Sequence, residues 1–188
     1  MQLSIQTNFP EVAAALAKVQ AEVARPATAR ALNATVAQAK TNMSREIRAE
    51  FNLSAGYVRD RLRITRASVR SGRLNLSAEL IGGDGKRRSA NVIAFAAKET
   101  SRGVSVKIKK AGSRKTIAGA FIANKGRTVF AREGKKRLPI KPVRTVDVPQ
   151  MFNTRKVNAA VIRTIEQRFP QIFERELAYA LTQFNATR

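Results

Sequence analysis

The sequence predicts an α+β fold, with N-terminal helices, a mostly antiparallel β-sheet meander and a long C-terminal helix. The spacing of apolar residues carries this prediction, because it changes twice along the chain. Apolar residues recur every three or four positions over 1–63, alternate with period two over 64–147, and return to the helical spacing over 148–188. With 188 residues and 44% hydrophobic content, the chain can bury the core of a single domain spanning 1–188.

The N-terminal region is predicted to hold one strand and three helices. Leu3 and Ile5 alternate with polar neighbours, as in a short strand. Asn8 is placed to cap a first helix, which Pro26 is expected to interrupt because proline lacks a backbone donor. A second helix carries one apolar stripe, and Ser54 is placed to cap a short third helix. The stripe of the second helix consists of Leu32, Val36, Ala39, Met43, Ile47 and Phe51.

The middle of the chain is predicted to fold as a meander of short strands joined by basic turns. The predicted strands are 73–80, 92–97, 103–109, 117–123, 128–132 and 138–143. Alternation directs one set of side chains toward the helices, and this set is predicted to be buried on one sheet face. It comprises Leu74, Leu76, Val104, Val106, Ile108 and Phe121.

A short helical turn at 148–152 is predicted to precede a long amphipathic C-terminal helix. Pro170 removes one backbone donor and is expected to kink that helix or split it in two. The apolar stripe is longer than a small sheet can cover, so its distal part is predicted to contact another subunit. The predicted oligomer-contact residues are Leu177, Leu181 and Phe184.

Charge is the strongest functional signal in the sequence, because 36 Lys and Arg stand against 13 Asp and Glu, a net charge of +23. The chain has no His and no Cys, which removes the imidazole base, the thiolate nucleophile and the usual zinc ligands. The acids lack metal-ligand spacing, and the glycine run at 82–85 lacks the spacing of a phosphate-binding loop. We therefore expect no enzymatic activity, no cofactor and no metal site.

Membrane segments are not expected either. No apolar run approaches the roughly 18 residues that a membrane span needs. The first residues lack the basic segment of a signal peptide. A soluble protein without a membrane partner is therefore predicted.

Basic residues concentrate in the predicted sheet, where 15 Lys and Arg stand against Glu99 and Glu133 between residues 98 and 144. Such an excess is typical of a surface that contacts a polyanion or an acidic protein, and the alternative is a solvated sheet face. Base-reading motifs and stacking aromatics are missing, so any DNA contact in a channel is expected to be non-specific. The predicted contact residues are Lys107, Lys109, Lys110, Arg114, Lys115, Lys135, Lys136 and Arg137.

Short segments between about residues 30 and 145 share their order and spacing with a known family. They are Ala31-Leu-Asn33, Met43-Ser-Arg-Glu-Ile47, Asn52-Leu-Ser54, Tyr57-Val-Arg-Asp-Arg-Leu62, Ile93-Ala-Phe95, Gly103-Val-Ser-Val-Lys-Ile108, Ala120-Phe-Ile-Ala123, Val129-Phe130 and Arg137-Leu-Pro-Ile140. Taken together, these segments resemble the prophage minor tail protein Z family.

The resemblance implies a structural virion protein without catalytic residues. Such a protein would assemble at the head-proximal end of the phage tail, complete the tail and join it to the head. We expect a homo-oligomeric ring beside tail-terminator, tail-tube or head-connector proteins, in the tail or neck of the virion and in the host cytoplasm during assembly. The rival hypothesis, drawn from charge alone, is a sequence-independent nucleic-acid-binding accessory protein.

Overall fold

The computed structural model describes residues 2–5, 21–70, 73–83, 89–134 and 136–186. The helices in these ranges are α1 (Ala21–Glu50), α2 (Ala55–Arg59), α3 (Val148–Phe152) and α4 (Arg155–Ala186). The strands are β1 (Gln2–Ile5), β2 (Leu62–Thr65), β3 (Ser68–Arg70), β4 (Arg73–Asn75), β5 (Ala78–Gly82), β6 (Ala90–Asn91), β7 (Lys98–Thr100), β8 (Gly103–Val106), β9 (Lys115–Ala118), β10 (Ala120–Ala123), β11 (Thr128–Arg132), β12 (Ile140–Pro142) and β13 (Arg144–Thr145). These elements confirm the predicted α+β class.

The chain divides into two compact units, each assembled from separate segments. The first unit consists of Met1–Met43, Leu62–Gly82 and Arg155–Arg188, and the second of Ser44–Arg61 and Gly83–Thr154. Strand order in the first unit is β1-β5-β2 and β3-β4. In the second unit it is β7-β8-β9, β10-β11-β12 and β6-β13. The predicted single meander is therefore several small antiparallel sheets, and the single domain over 1–188 stays a prediction.

Helix α1 runs antiparallel to α4 in the first unit. The Asn42 amide donates to the Thr164 hydroxyl at 2.6 Å, while nearer the start of α1 the Arg30 guanidinium pairs with the Glu176 carboxylate at 3.1 Å. The predicted stripe of α1 is confirmed, because all of its members are buried. In the first unit these are Leu32, Val36, Ala39 and Met43.

Both helices continue through a proline that was expected to disrupt them. Helix α1 runs through Pro26 and α4 runs through Pro170, so the predicted interruption at Pro26 and the predicted split at Pro170 are wrong, while a kink at Pro170 stays a prediction. A proline removes one intrahelical hydrogen bond, whereas packing of an apolar face stabilises every turn of a long helix. Phe169 and Phe173, which flank Pro170, are fully buried with ring centroids 6.1 Å apart. The cap predicted at Asn8 lies outside the described residues.

The strand predicted at 73–80 is two strands in different sheets. Strand β4 pairs with β3, whereas β5 pairs with β1 and β2. The break is stabilised by a hydrogen bond from the Ser77 amide to the Asn75 side chain at 3.1 Å. Leu74 consequently lies opposite Val69 in a two-stranded hairpin and is 51% exposed, so its predicted burial is wrong. The strand predicted at Leu3 and Ile5 is confirmed as β1.

In the second unit, two three-stranded sheets contribute to a common hydrophobic cluster. Sheet β7-β8-β9 contributes Val104 and Val106, and sheet β10-β11-β12 contributes Ala120 and Val129. Val92 joins them from a 3₁₀ turn, Val92–Ala94, where a buried strand was predicted. The turn forms because the Asn91 side chain accepts from the Ile93 amide and also bonds both backbone groups of Val129.

The strand predicted at 117–123 also divides, at Gly119. The positive φ of Gly119, 68°, separates β9 from β10, which belong to different sheets. The predicted common face of Leu74, Val104 and Phe121 is therefore wrong. Phe121 is only half-buried, as are two further members of that set, Leu76 and Ile108.

Candidate interaction surface

The connection between β8 and β9 carries four of the predicted contact residues, the fifth, Lys115, begins β9, and the connection is anchored to the end of α1. The Asn52 amide donates to the Ile108 carbonyl at 2.8 Å, and the Lys110 amide donates to the Glu50 carbonyl at 2.9 Å. Between them, Phe51 and Lys109 form an isolated antiparallel bridge. The basic side chains of this connection are therefore displayed on a backbone that is held in place.

These five cations, four in the connection and Lys115 at the start of β9, have different surroundings. The Lys109 ammonium pairs with Glu50 at 3.4 Å, and the Lys107 side chain is half-buried. Arg114 donates to the hydroxyl and carbonyl of Ser105 at 3.0 and 3.1 Å and to the Ala96 carbonyl at 2.6 Å, so it braces the sheet. Lys110 and Lys115 are exposed. These two are the members of the predicted cluster best placed to meet a partner.

A pocket opens beside the two ends of this connection, with a volume of about 390 Å³. Its apolar surface comes from Val106 and Ile108 and from the aliphatic stems of two lysines. The residues that line it are Val106, Ile108, Lys109, Gly112, Ser113 and Lys115. The pocket can thus hold an apolar group under a cationic rim.

The acids in the same region are engaged within the second unit. The Glu99 carboxylate accepts a hydrogen bond from the Ile122 amide at 2.8 Å, and Glu133 forms an ion pair with Lys141. These are the acids that stand against 15 Lys and Arg between residues 98 and 144. The cation excess therefore remains at the surface.

The second predicted cluster lies in the connection between β11 and β12. Lys136 and Arg137 are exposed there, whereas Lys135 lies outside the described residues. The adjoining Leu138 is 66% exposed. The two predicted clusters therefore belong to hairpins of different sheets within the second unit.

An aromatic pair on the β10–β11 hairpin is half-buried, although Phe121 was predicted to be buried. Phe121 and Phe130 lie opposite each other in register, with ring centroids 6.2 Å apart, and the Arg132 guanidinium lies 4.8 Å from the Phe121 ring. They face away from the buried Val129 because neighbouring residues in a strand point to opposite faces. The equal distance of both phenylalanines from the hairpin turn was the signal that could have revealed this pair.

The predicted oligomer contacts on α4 differ in exposure. Leu177 is 9% exposed and belongs to the core, Leu181 is 36% exposed, and Phe184 is half-buried. Leu181 is therefore the member that a second subunit can reach with the least rearrangement. Oligomer contact through this helix stays a prediction.

No group of three or more acidic side chains in the described ranges is placed to hold a metal ion. None of the described helices is long and apolar enough to cross a bilayer. The basic part of the predicted glycine turn, residues 84–88, lies outside the described residues.

Comparison with protein families gives one match across most of the chain. The model of the family described as prophage minor tail protein Z (GPZ) matches residues 11–186. The chain belongs to this family. The match includes every segment on which the resemblance was based and extends over the C-terminal helix. Comparison with curated proteins and with solved structures gives no match.

As a member of the minor tail protein Z family, the chain is a structural protein of the phage tail, and its location is the virion tail. The family is structural rather than an enzyme class, and the expected lack of catalysis stays a prediction.

Proposed function

We propose that the chain completes the head-proximal end of the phage tail and joins the tail to the head. It does so by binding neighbouring virion proteins through the cationic surface of its second unit. The observation that carries the proposal is the uncompensated charge of that surface in a tail protein. Lys110, Lys115, Lys136 and Arg137 are exposed, while Glu99 and Glu133 are engaged internally. An acidic neighbour would offset the self-repulsion of these cations.

The net positive charge of the chain also opposes its self-association. With a net charge of +23, isolated copies repel one another, so a homo-oligomeric ring would close on an acidic neighbour rather than alone. Closed rings use two different surfaces of each copy, and Leu181 on α4 is a candidate for one of them. Tail-terminator, tail-tube and head-connector proteins are the neighbours that a head-proximal position would supply.

The position in the particle can be tested with a single gold label. The chain has no cysteine, so Ser101→Cys in the exposed turn between β7 and β8 creates one thiol for maleimide gold. Electron micrographs of infectious particles should show gold at the junction of head and tail, and the cysteine-free parent controls for non-specific labelling. Gold along the tail shaft or at its distal tip would contradict the proposed position.

A second arm tests the joining function itself. Phages that lack the chain should accumulate separate filled heads and full-length tails, and purified wild-type protein should restore joining in the mixture. Joined, infectious particles made without the chain would contradict the role. Restoration by a nuclease-treated preparation separates this role from that of a nucleic-acid-binding accessory protein.

A further inference from the structure

We propose that the pocket at the β8–β9 connection, together with the outer edge of β9, docks an acidic, extended segment of a partner protein. One bulky apolar side chain of the segment enters the pocket while its carboxylates face the surrounding lysines. This proposal rests on the proposed function, because a neighbouring virion protein is then the source of the segment.

The pocket is large enough to hold one bulky side chain. Its volume of about 390 Å³ is near the lower end of the range for small-molecule sites. Val106 and Ile108 supply an apolar floor, and Gly112 and Ser113 keep one wall low. A branched or aromatic side chain from a partner would lose contact with water here against Val106 and Ile108.

The rim of the pocket selects for acidic neighbours of that side chain. Lys115 lines the pocket and is exposed, and the exposed Lys110 lies in the connection that leads to it. A second copy of this chain is a poor occupant, because 36 basic residues stand against 13 acids. The acids Glu99 and Glu133 are also engaged internally. Charge complementarity therefore favours an acidic partner.

The edge of β9 offers backbone groups to an extended segment. Within the described part of the chain, β9 pairs with β8 and lies at the edge of its sheet. The Gly119 amide donates to the Arg102 carbonyl at 3.3 Å, in line with the β8–β9 register. Hydrogen-bonded pairs alternate in an antiparallel ladder, so the amide and carbonyl of Thr116 point away from β8. An added strand would bond to these groups and reach the pocket at Lys115.

A nucleic acid would use the same charge but not the same pocket. Single-stranded nucleic acids stack their bases on aromatic side chains, whereas this pocket is lined by aliphatic residues, glycine, serine and lysine. A protein segment is therefore favoured, and binding of an oligonucleotide at the same residues becomes an outcome of the test.

The experiment uses the full-length chain labelled with ¹⁵N and two short synthetic peptides. In the first peptide, Asp and Glu flank a single Phe; in the second, Ser replaces that Phe. The first should shift the amide resonances of Val106, Ile108 and Thr116 and bind about tenfold or more tightly than the second, because burying the ring excludes water. Equal affinity of the two peptides, or no binding of either, would overturn the proposal.

Variants with matched controls separate the pocket from general charge. Lys115→Glu should weaken binding of the Phe peptide by about tenfold. Lys98→Glu makes the same charge change on the opposite face of the same sheet and should have little effect on that binding. Thr116→Pro removes the outward amide without breaking the β8–β9 ladder and should also weaken binding. Circular dichroism of each variant checks folding, and equal loss in Lys115→Glu and Lys98→Glu would overturn the site.

Competition by a single-stranded oligonucleotide completes the test. Displacement of the Phe peptide with the same resonances shifted would assign the site to nucleic acid and overturn the protein-segment proposal. The outcome is separable from the proposed function, because peptide binding is measured on the isolated chain. Gold at the head–tail junction with no peptide binding rejects the docking site alone, whereas peptide binding with gold elsewhere rejects the position alone.

Discussion

The Nε atom of Arg61 lies 3.3 Å from a carboxylate oxygen of Asp147, whose side chain is 1% exposed. The same guanidinium lies 3.4 Å from the ring centroid of Tyr57, whose hydroxyl donates to Asp147 at 3.2 Å. Asp147 also caps α3 in a capping box with Gln150. Two residues of the family-like segment Tyr57-Val-Arg-Asp-Arg-Leu62 thus hold the start of α3.

Removal of the Asp147 carboxylate should destabilise the chain strongly. We expect Asp147→Ala to lower the free energy of unfolding by about 3 kcal/mol, because it removes a helix cap and leaves Arg61 without its ion-pair partner. Arg61 is 24% exposed and can still be hydrated, which keeps the loss at the lower end for buried pairs. Urea unfolding followed by circular dichroism measures it. The exposed Asp60→Ala is the matched control, and an equal effect of both would contradict the assignment.

Replacing a buried and a half-buried phenylalanine of the second unit by alanine should lower the free energy of unfolding by different amounts. Phe95 is fully buried, so Phe95→Ala should cost about 3–5 kcal/mol. Phe121 is half-buried beside Phe130 and Arg132, so Phe121→Ala should cost about 1–2 kcal/mol. Urea denaturation of both variants gives the comparison. A larger loss of unfolding free energy for Phe121→Ala than for Phe95→Ala would show that Phe121 belongs to the core.

A glycine at the start of β8 should not tolerate a side chain. Gly103 has φ of 137°, and a Cβ atom there would lie 2.1 Å from the Ile117 carbonyl oxygen. Gly103→Ala should therefore cost more than about 2 kcal/mol and disturb the β8–β9 pairing. In contrast, Gly56→Ala in α2 should stabilise the chain by about 0.5–1 kcal/mol, since nothing lies within 4 Å of its Cβ position. Thermal unfolding of the two variants should shift in opposite directions.

Two leucines one helical turn apart on α4 should separate folding from assembly. Leu177 is 9% exposed, so Leu177→Asp buries a charge and should cost more than about 3 kcal/mol. Leu181 is 36% exposed, so Leu181→Asp should change the free energy of unfolding by less than about 1 kcal/mol yet reduce particle assembly. Complementation of a phage that lacks the chain scores assembly. Normal yields of infectious particles with folded Leu181→Asp would exclude this residue from the interface.

Elements with long, strong apolar periodicity were predictable from sequence alone. The stripe from Leu32 to Phe51 needs a helix because its spacing brings those side chains to one side, and the same reasoning holds for the stripe of α4. Ser54 was predictable as a helix N-cap because a serine hydroxyl can accept a hydrogen bond from the backbone amide three residues later. In the structure the Tyr57 amide donates to the Ser54 hydroxyl at 3.2 Å. The class, the order of elements and the charge of the surface followed from such local patterns.

The positive charge of the candidate interaction surface could be predicted from the sequence, but its pocket and the contacts of its side chains could not. The cluster from Lys107 to Lys115 stands out in the sequence, but its division into bracing and exposed cations depends on distant partners. Arg114 braces Ser105 and Ala96, and Lys109 meets Glu50, which lies 59 positions earlier in the sequence. The pocket beneath Lys115 forms where these contacts hold the β8–β9 connection. Residue spacing along the chain does not specify such contacts.

The sequence by itself determined the α+β class, the two long helices, the short strands and the cationic character of this protein, because each depends on periodicity or composition. Only the tertiary structure decided which strands pair, that Leu74 and Phe121 leave the core, and that α1 and α4 continue through their prolines. It also decided that Asn33 binds both backbone groups of Ala67, each at 2.9 Å. These outcomes depend on contacts between residues far apart in the chain. The packing energy of such contacts exceeds the helix-breaking preference of a single proline and the strand preference of a segment with alternating apolar residues.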